Sequence, residues 1–305
     1  GFIGLEFASM FADFGTAVTV LQHNAEFLPR EDADVAAAIR AQLEAQGVKF
    51  LFNADTKAIA PAADGGVRLS VAVKGMTRGA SQACDSTPAG TGNAHTDITG
   101  ATDTTTTTSP TSNPTDHATM SHVQTKPSDD GEPRFAEPAE ARFCLTTDAV
   151  LVATGRTPNV EGLHLEAAGV ELTERGAVKV DELLRTTAAD IWALGDVNGG
   201  PQHTYISLDD YRVVWSQLNG SDRPYTVKDR KHVPSSTFLA TPYSRVGLNE
   251  REAKAAGLDY VVKRLPVAAV PKAQVMRRPD GLMKAIVERN TGRILGAMLL
   301  SVESH

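Results

Sequence analysis

The chain has few cysteines, no excess of positive charge and no long apolar run, and each shortage closes off a class of explanation. Its two cysteines, Cys84 and Cys144, are too few and too far apart for a disulfide framework, and this usage fits a reducing, cytoplasmic compartment. Lysine and arginine number 30 against 37 aspartates and glutamates, a net charge of -7. No basic run interrupts that balance, so neither nucleic acid nor an anionic membrane is expected as a main partner. No apolar stretch approaches the roughly 20 residues that span a bilayer. No secretory leader is visible, although the chain starts inside a motif, which gives that absence no weight. What remains is ordinary for a globular protein: 305 residues with 41% hydrophobic content, enough for two or three domains.

The motif at the start is Gly1-Phe2-Ile3-Gly4-Leu5-Glu6-Phe7. It reads as the last two glycines of a G-x-G-x-x-G turn whose first strand would precede it, so the chain is expected to be a fragment. In such a turn one glycine lets the backbone approach a pyrophosphate, another lets helix and strand pack closely, and the helix N-terminus faces the phosphates. Two glycines alone also fit a plain capping loop. Phe7, Met10, Phe11 and Phe14 predict the apolar face of a helix that Gly15 ends, followed by a buried strand over Ala17 to Leu21. A second helix is expected from Glu31 to Gln46, with Val35, Ile39 and Leu43 inward, and a second strand from Val48 to Phe52. This alternation is the beginning of a doubly wound α/β fold.

The period then changes to two. Val67, Leu69, Val71 and Val73 alternate with Arg68, Ser70, Ala72 and Lys74, predicting an antiparallel strand with one wet face. From about residue 75 to 140 the sequence is rich in Thr, Ser, Gly, Pro and Asp, with the run Thr104 to Thr108. A segment of that composition buries too little to offset its ordering entropy and reads as a disordered insertion at a hairpin tip. A competing reading gathers Cys84, His95, His117, Met120 and His122 around a metal, but their spacing matches no compact ligand motif, and no metal site is expected. Cys144, on the returning strand, reads as a small hydrophobe rather than a nucleophile.

Two further segments end apolar strands on glycine. Asp148 to Ala153 predicts a buried strand that runs into Thr154-Gly155-Arg156-Thr157-Pro158-Asn159. Thr186 to Leu194 repeats the idea and delivers Gly195 and Asp196. Open parallel sheets hold ligands at such strand ends, where a carboxylate can accept from sugar or polyol hydroxyls. An aspartate that merely closes a turn would look the same. Behind them, Asn249 is expected to cap a helix from Glu250 to Ala256 that Gly257 ends. Strands follow at Tyr260 to Leu265, Leu282 to Val287 and Ile294 to Leu300, with a hairpin turn at Arg289 to Gly292.

Taken together, the split glycine turn, Ala153-Thr154-Gly155-Arg156-Thr157-Pro158-Asn159 and Thr186-Thr187 with Ile191-Trp192-Ala193-Leu194-Gly195-Asp196 resemble the class I pyridine nucleotide-disulfide oxidoreductases. The stretches 27–32, 205–212 and 265–273 are most similar to its branch of reactive-chlorine-resistance flavoproteins and mercuric reductases. The resemblance implies an NAD(P)-binding domain over 1–154, part of a FAD-binding domain over 155–230 and a truncated α+β dimerisation domain over 231–305. It also implies hydride transfer from NAD(P)H to FAD and on, through a cysteine pair, to a metal ion or disulfide, as in a copper(II) or mercuric reductase, within a homodimer. Gly1 and Gly4 would cradle the NAD(P)H pyrophosphate, and Gly155, next to Arg156, would line the nicotinamide side. Gly195 and Asp196 would meet the ribityl chain of FAD. Glu6 would be catalytic, pairing with a lysine beside the flavin; the bland reading of Glu6 is an acid favoured by the helix dipole.

Three departures accompany the resemblance. Where NAD-using relatives end their second strand in an acid for the ribose diol, this chain has Gln22-His23-Asn24, which leaves the coenzyme open between NADH and NADPH. Neither cysteine stands where the redox pair would, and the family's C-terminal His-x-x-x-x-Glu pair is absent. A dihydrolipoamide dehydrogenase, or a non-catalytic nucleotide-binding redox sensor, are the alternatives.

Overall fold

The computed structural model describes residues 1–75 and 140–305. Helix α1 (Phe2–Asp13) starts at Gly1 with no side-chain cap and no acid in its first turn. Strand β1 (Thr19–Leu21), helix α2 (Ala33–Ala45) and strand β2 (Lys49–Leu51) follow, and β1 pairs with β2 in parallel from Thr19↔Lys49 to Leu21↔Leu51. This is the α/β dinucleotide-binding arrangement. Helix α2 buries Val35, Ile39 and Leu43 as their spacing requires.

Helix α1 does not turn its aromatic side inward. Leu5, Ala8 and Ser9 are buried, while Phe7, Met10, Phe11 and Phe14 are exposed, Phe14 by 75%. The expected face is therefore corrected. Small residues win because they let the helix approach its neighbours closely: Ser9 Oγ donates to Gln46 Oε1 (3.2 Å) and accepts from the Ala240 N–H (3.1 Å).

Strands β3 (Ala54–Pro61), β4 (Val67–Lys74) and β5 (Glu140–Thr147) form an antiparallel sheet in that order. Strands β4 and β5 pair out to Lys74↔Glu140, so the segment between them joins two paired strand ends. The insertion, with the residues of the competing metal reading, lies outside the described residues. Cys144, on β5, is half-buried, as read from the sequence, and it is disulfide-bonded rather than a free nucleophile.

The two apolar segments ending on glycine are also corrected. Residues 148–154 form no strand, and Leu151 and Val152 are exposed. Around 186–194 only an isolated bridge, Arg185↔Trp192, forms, and Ile191 and Leu194 are exposed. A buried parallel strand needs neighbours on both edges, and the described parallel sheet has two strands, neither paired with these segments.

Helix α3 (Thr204–Leu218) leads to a five-stranded antiparallel sheet, built from β6 (Ser235–Thr237), β7 (Tyr243–Gly247), β8 (Tyr260–Pro266), β9 (Leu282–Glu288) and β10 (Ile294–Leu300), in the order β6-β7-β10-β9-β8. Between them lie helices α4 (Glu250–Ala255) and α5 (Pro271–Val275). Asn249 caps α4 in a reciprocal capping box with Glu252, accepting from its N–H at 2.8 Å. Helices α1 and α2 share one core with this sheet: Leu5, Ile39 and Leu43 pack in a cluster with Tyr243, Ile286, Met298 and Leu300.

A seam of buried charge runs along the same contact. The Lys284 ammonium is fully buried, 2.8 Å from Asp32, 2.7 Å from Asp34 and 2.5 Å from Glu250. Burial works against the ammonium, but hydrogen bonds to Asp32, Asp34 and Glu250 outweigh it and hold the Lys284 pKa above its ordinary value. Asp34 is held below the usual carboxylate range: burial opposes this, and the hydrogen bonds from Lys284 and Arg264 prevail. Beside this cluster the Tyr243 hydroxyl donates to Glu31 (2.5 Å), and burial, reinforced by that carboxylate, pushes the phenol well up.

Candidate functional site

Three glycine-bearing segments converge. A Cβ placed on Gly4, in the first turn of α1, would lie 3.3 Å from the Ala153 side chain, so the turn sits against the chain leading into Gly155. Immediately after that glycine, Arg156 extends to Asp196 (3.5 Å) and to the Gln202 carbonyl (3.1 Å). Gly4, Gly155, Arg156, Gly195 and Asp196 are thus brought into one neighbourhood although they are far apart in sequence.

The local chemistry suits nucleotides. Gly1 is exposed, with no atom within 4 Å of where a Cβ would stand, and the first-turn N–H groups of α1 have neither a side-chain cap nor a nearby acid. A helix end in that condition favours a phosphate. Gly155 has φ of 134°, and its surroundings are equally open. The Asp196 side chain is half exposed and, apart from the long contact with Arg156, is free to accept from hydroxyls. Gln22 follows β1; its N–H donates to Leu51 (2.8 Å) and its carbonyl accepts from Ala54 (3.0 Å), which fixes its backbone at the carboxyl end of the parallel pair.

The Glu6 carboxylate accepts from the Phe238 N–H at 2.9 Å, tying α1 to the loop after β6. Among the described residues Asp32, Asp34 and Glu250 are close enough together to hold a cation, and the Lys284 ammonium stands among them.

Sequence reasoning missed two residues beneath the site. Asp210 on α3 is 1% exposed and accepts from the Gly195 N–H (2.7 Å), from Asn198 Nδ2 (3.2 Å) and from Arg230 (2.5 Å). Arg230 also binds Asp209 at 2.7 Å; burial disfavours its charge, but hydrogen bonds to Asp210 and Asp209 prevail and raise its pKa. The signal was available, because Asp210 shares the helical stripe of Ile206, Val213 and Val214, where a charge demands a partner.

Models of the pyridine nucleotide-disulphide oxidoreductases match residues 1–75 and 103–210, and the dimerisation domain of the same family matches 233–305. The chain belongs to the pyridine nucleotide-disulfide oxidoreductase family. It is 40% identical over 305 residues to the probable pyridine nucleotide-disulfide oxidoreductase RclA of Escherichia coli (strain K12), covering all of this chain and 53% of that protein. To the dihydrolipoyl dehydrogenase of Mycobacterium tuberculosis it is 29% identical over 98% of this chain and 50% of the relative. A mercuric reductase of Staphylococcus aureus is 38% identical over 52% of this chain and 28% of its own. Among solved structures, the Cu(II) complex of the HOCl-induced flavoprotein disulfide reductase RclA from Escherichia coli matches with a TM-score of 0.72 and 39% identity, over 100% of this chain and 53% of that one. The chain spans about half the length of the full-chain relatives it matches.

Proposed function

We propose that this chain serves a FAD-dependent NAD(P)H oxidoreductase that reduces a metal ion or a small disulfide, working as a homodimer. The observation that carries the reading is the convergence of the three glycine segments, with Gly4 against Ala153 and Arg156 on Asp196 at 3.5 Å. FAD, when bound, would supply the two-electron relay between a nicotinamide and the acceptor. The residues here bind and orient. The N-terminus of α1, with Gly1 and Gly4, takes the coenzyme pyrophosphate; Gln22 meets the adenosine ribose; Gly155 offers bare backbone to the nicotinamide side. Asp196 accepts from ribityl hydroxyls, and Arg156 limits the directions that carboxylate can take. Glu6 biases charge near the flavin once its bond to Phe238 is exchanged for a lysine partner.

A copper or mercuric ion is favoured as acceptor because one relative is known as a Cu(II) complex and another is a mercuric reductase. The dihydrolipoyl dehydrogenases keep a disulfide acceptor as the second reading. The test is to purify the full-length product of the reading frame and measure flavin absorbance together with NAD(P)H oxidation in the presence of Cu(II), Hg(II) or lipoamide. Stoichiometric FAD and metal-dependent oxidation support the proposal. A flavin-free protein would overturn it, and turnover with lipoamide alone would select the second reading.

A further inference from the structure

We propose that Asp210 is a positioning residue for the flavin site: its buried carboxylate, paired with Arg230, fixes the Gly195–Asp196 turn and so sets the direction of the Asp196 carboxylate. The proposal rests on the reading of Asp196 as the acceptor for the ribityl hydroxyls.

The geometry is that of one carboxylate holding both ends of a short turn. Residues Gly195–Asn198 form a single 3-10 turn after the extended Leu194. One oxygen of Asp210 accepts from the Gly195 N–H at its start (2.7 Å) and from Asn198 Nδ2 at its end (3.2 Å). Asn198 continues the network, donating to the Ala193 carbonyl (3.2 Å) and accepting from the Gly200 N–H (2.9 Å). Asp196 lies between these two fixed points, with its side chain half exposed. The turn is also pressed onto α3. Gly195 has φ of 74°, and a Cβ there would stand 2.8 Å from Ser207 Oγ, one turn before Asp210. Backbone and carboxylate are therefore registered against the same helix.

The other Asp210 oxygen accepts from Arg230 at 2.5 Å, and Arg230 Nε reaches Asp209 at 2.7 Å. The Tyr225 hydroxyl donates to Asp209 at 3.3 Å. A buried carboxylate without such a partner would cost more than its hydrogen bonds return. Arg230 thus makes Asp210 tolerable at a position where an apolar residue would satisfy the packing of α3. An apolar residue there would leave the Gly195 N–H and the Asn198 amide without their acceptor, and the turn free to rotate Asp196 away. This positioning accounts for a charge in the core of α3 that packing alone does not require.

The experiment uses the full-length product, with variants Asp210→Ala, Asp210→Asn and Asp196→Ala and the double variant. Two quantities are read: the FAD dissociation constant of the apoprotein, by quenching of flavin fluorescence, and the thermal midpoint of the apoprotein. Asp210→Ala is expected to weaken FAD binding by about tenfold or more, because charge-assisted hydrogen bonds are lost from the turn. Asp210→Asn, which keeps an oxygen for the Gly195 N–H, should recover part of that loss. If Asp210 acts through Asp196, adding Asp210→Ala to Asp196→Ala should weaken binding by less than about threefold further, since coupled residues are not additive. Wild-type affinity in both Asp210 variants, or full additivity in the double variant, would overturn the proposal. If Asp196→Ala itself leaves affinity unchanged, the flavin reading of the turn fails instead. Should Asp210→Ala not fold, Asp210→Asn decides: weakened FAD binding with an unchanged apoprotein midpoint supports positioning, and a lowered midpoint with unchanged binding overturns it.

Discussion

The five-stranded sheet near the C-terminus and the glycine-bearing segments before it contain equally apolar sequence, but only the first is closed. Strands β7, β8, β9 and β10 each find an antiparallel neighbour within about sixty residues, and Ile286, Met298 and Leu300 are buried. The segments 148–154 and 186–194 have the same kind of side chains, and Val152 is 67% exposed. Hydropathy states what a segment can bury; closure depends on whether a neighbour is present. Antiparallel hairpins bring their own neighbour, whereas a parallel strand takes its partner from a distant unit. Stability is therefore expected to reside in the closed region and ligand chemistry in the open one.

The largest test of that division is Lys284. Replacing it by Met keeps most of the volume but leaves Asp32, Asp34 and Glu250 facing one another without the ammonium, with Arg264 still bound to Asp34 and Glu250. Breaking a buried charge cluster in this way should cost about 3–5 kcal/mol in urea denaturation at pH 7. The pH dependence carries a sign. In the wild type Asp34 has a lowered pKa, so its contribution is present above the ordinary carboxylate value and is lost as the pH falls through the folded value. Lys284 has a raised pKa, so its contribution is present below the ordinary lysine value and is lost as the pH rises through the folded one. In Lys284→Met the crowded carboxylates should instead gain from protonation. Acidifying from pH 7 to pH 5 should then stabilise the variant, and a variant as stable as the wild type at pH 7 would show that the cluster does not hold α2 to the closed sheet.

A paired truncation comes next. Ile286→Ala, in the shared core, should lose about 2–5 kcal/mol, whereas Val152→Ala should stay within about 0.5 kcal/mol. Denaturation midpoints of the two variants measure the contrast directly. Equal losses would mean that residues 148–154 are buried in solution and that the two regions do not differ as described.

How much of this was legible in the sequence follows the same line. The cap at Asn249, the hairpin at Arg289 to Gly292 and strands β8 to β10 depend on residues close together in sequence, and the expected positions match the observed ones within a residue. The aromatic side of α1 was misjudged because amphipathicity does not say which stripe has neighbours small enough to approach. Lys284 alternates in register with Leu282 and Ile286, so period two already placed it inward, but its carboxylate partners lie on α2 and α4 and no local rule links them. Asp210 is the same case on a helix. The glycine motifs were legible as chemistry, because their residue types are demanded by backbone approach; their convergence required the fold.

The smallest expected effect sharpens the functional half of the comparison, because it should leave stability alone. Gln22 stands at the carboxyl end of β1, its backbone held by Leu51 and Ala54, where an adenosine ribose is proposed to bind. In the full-length product Gln22→Glu should shift preference towards NADH, since a carboxylate forms charge-assisted bonds with both ribose hydroxyls and repels a 2′-phosphate. Hydrogen bonds to a charged group contribute on the order of 1.5–3 kcal/mol, so the ratio of kcat/KM for NADH over NADPH should rise by roughly tenfold or more. The change should fall mainly on KM, because the ribose is remote from the transferred hydride and its contacts do not alter between ground and transition states. Steady-state kinetics with both coenzymes measure the ratio, and the denaturation midpoint of the same variant should not move. An unchanged ratio would place Gln22 away from the ribose and would remove the carboxyl end of β1 from the coenzyme site.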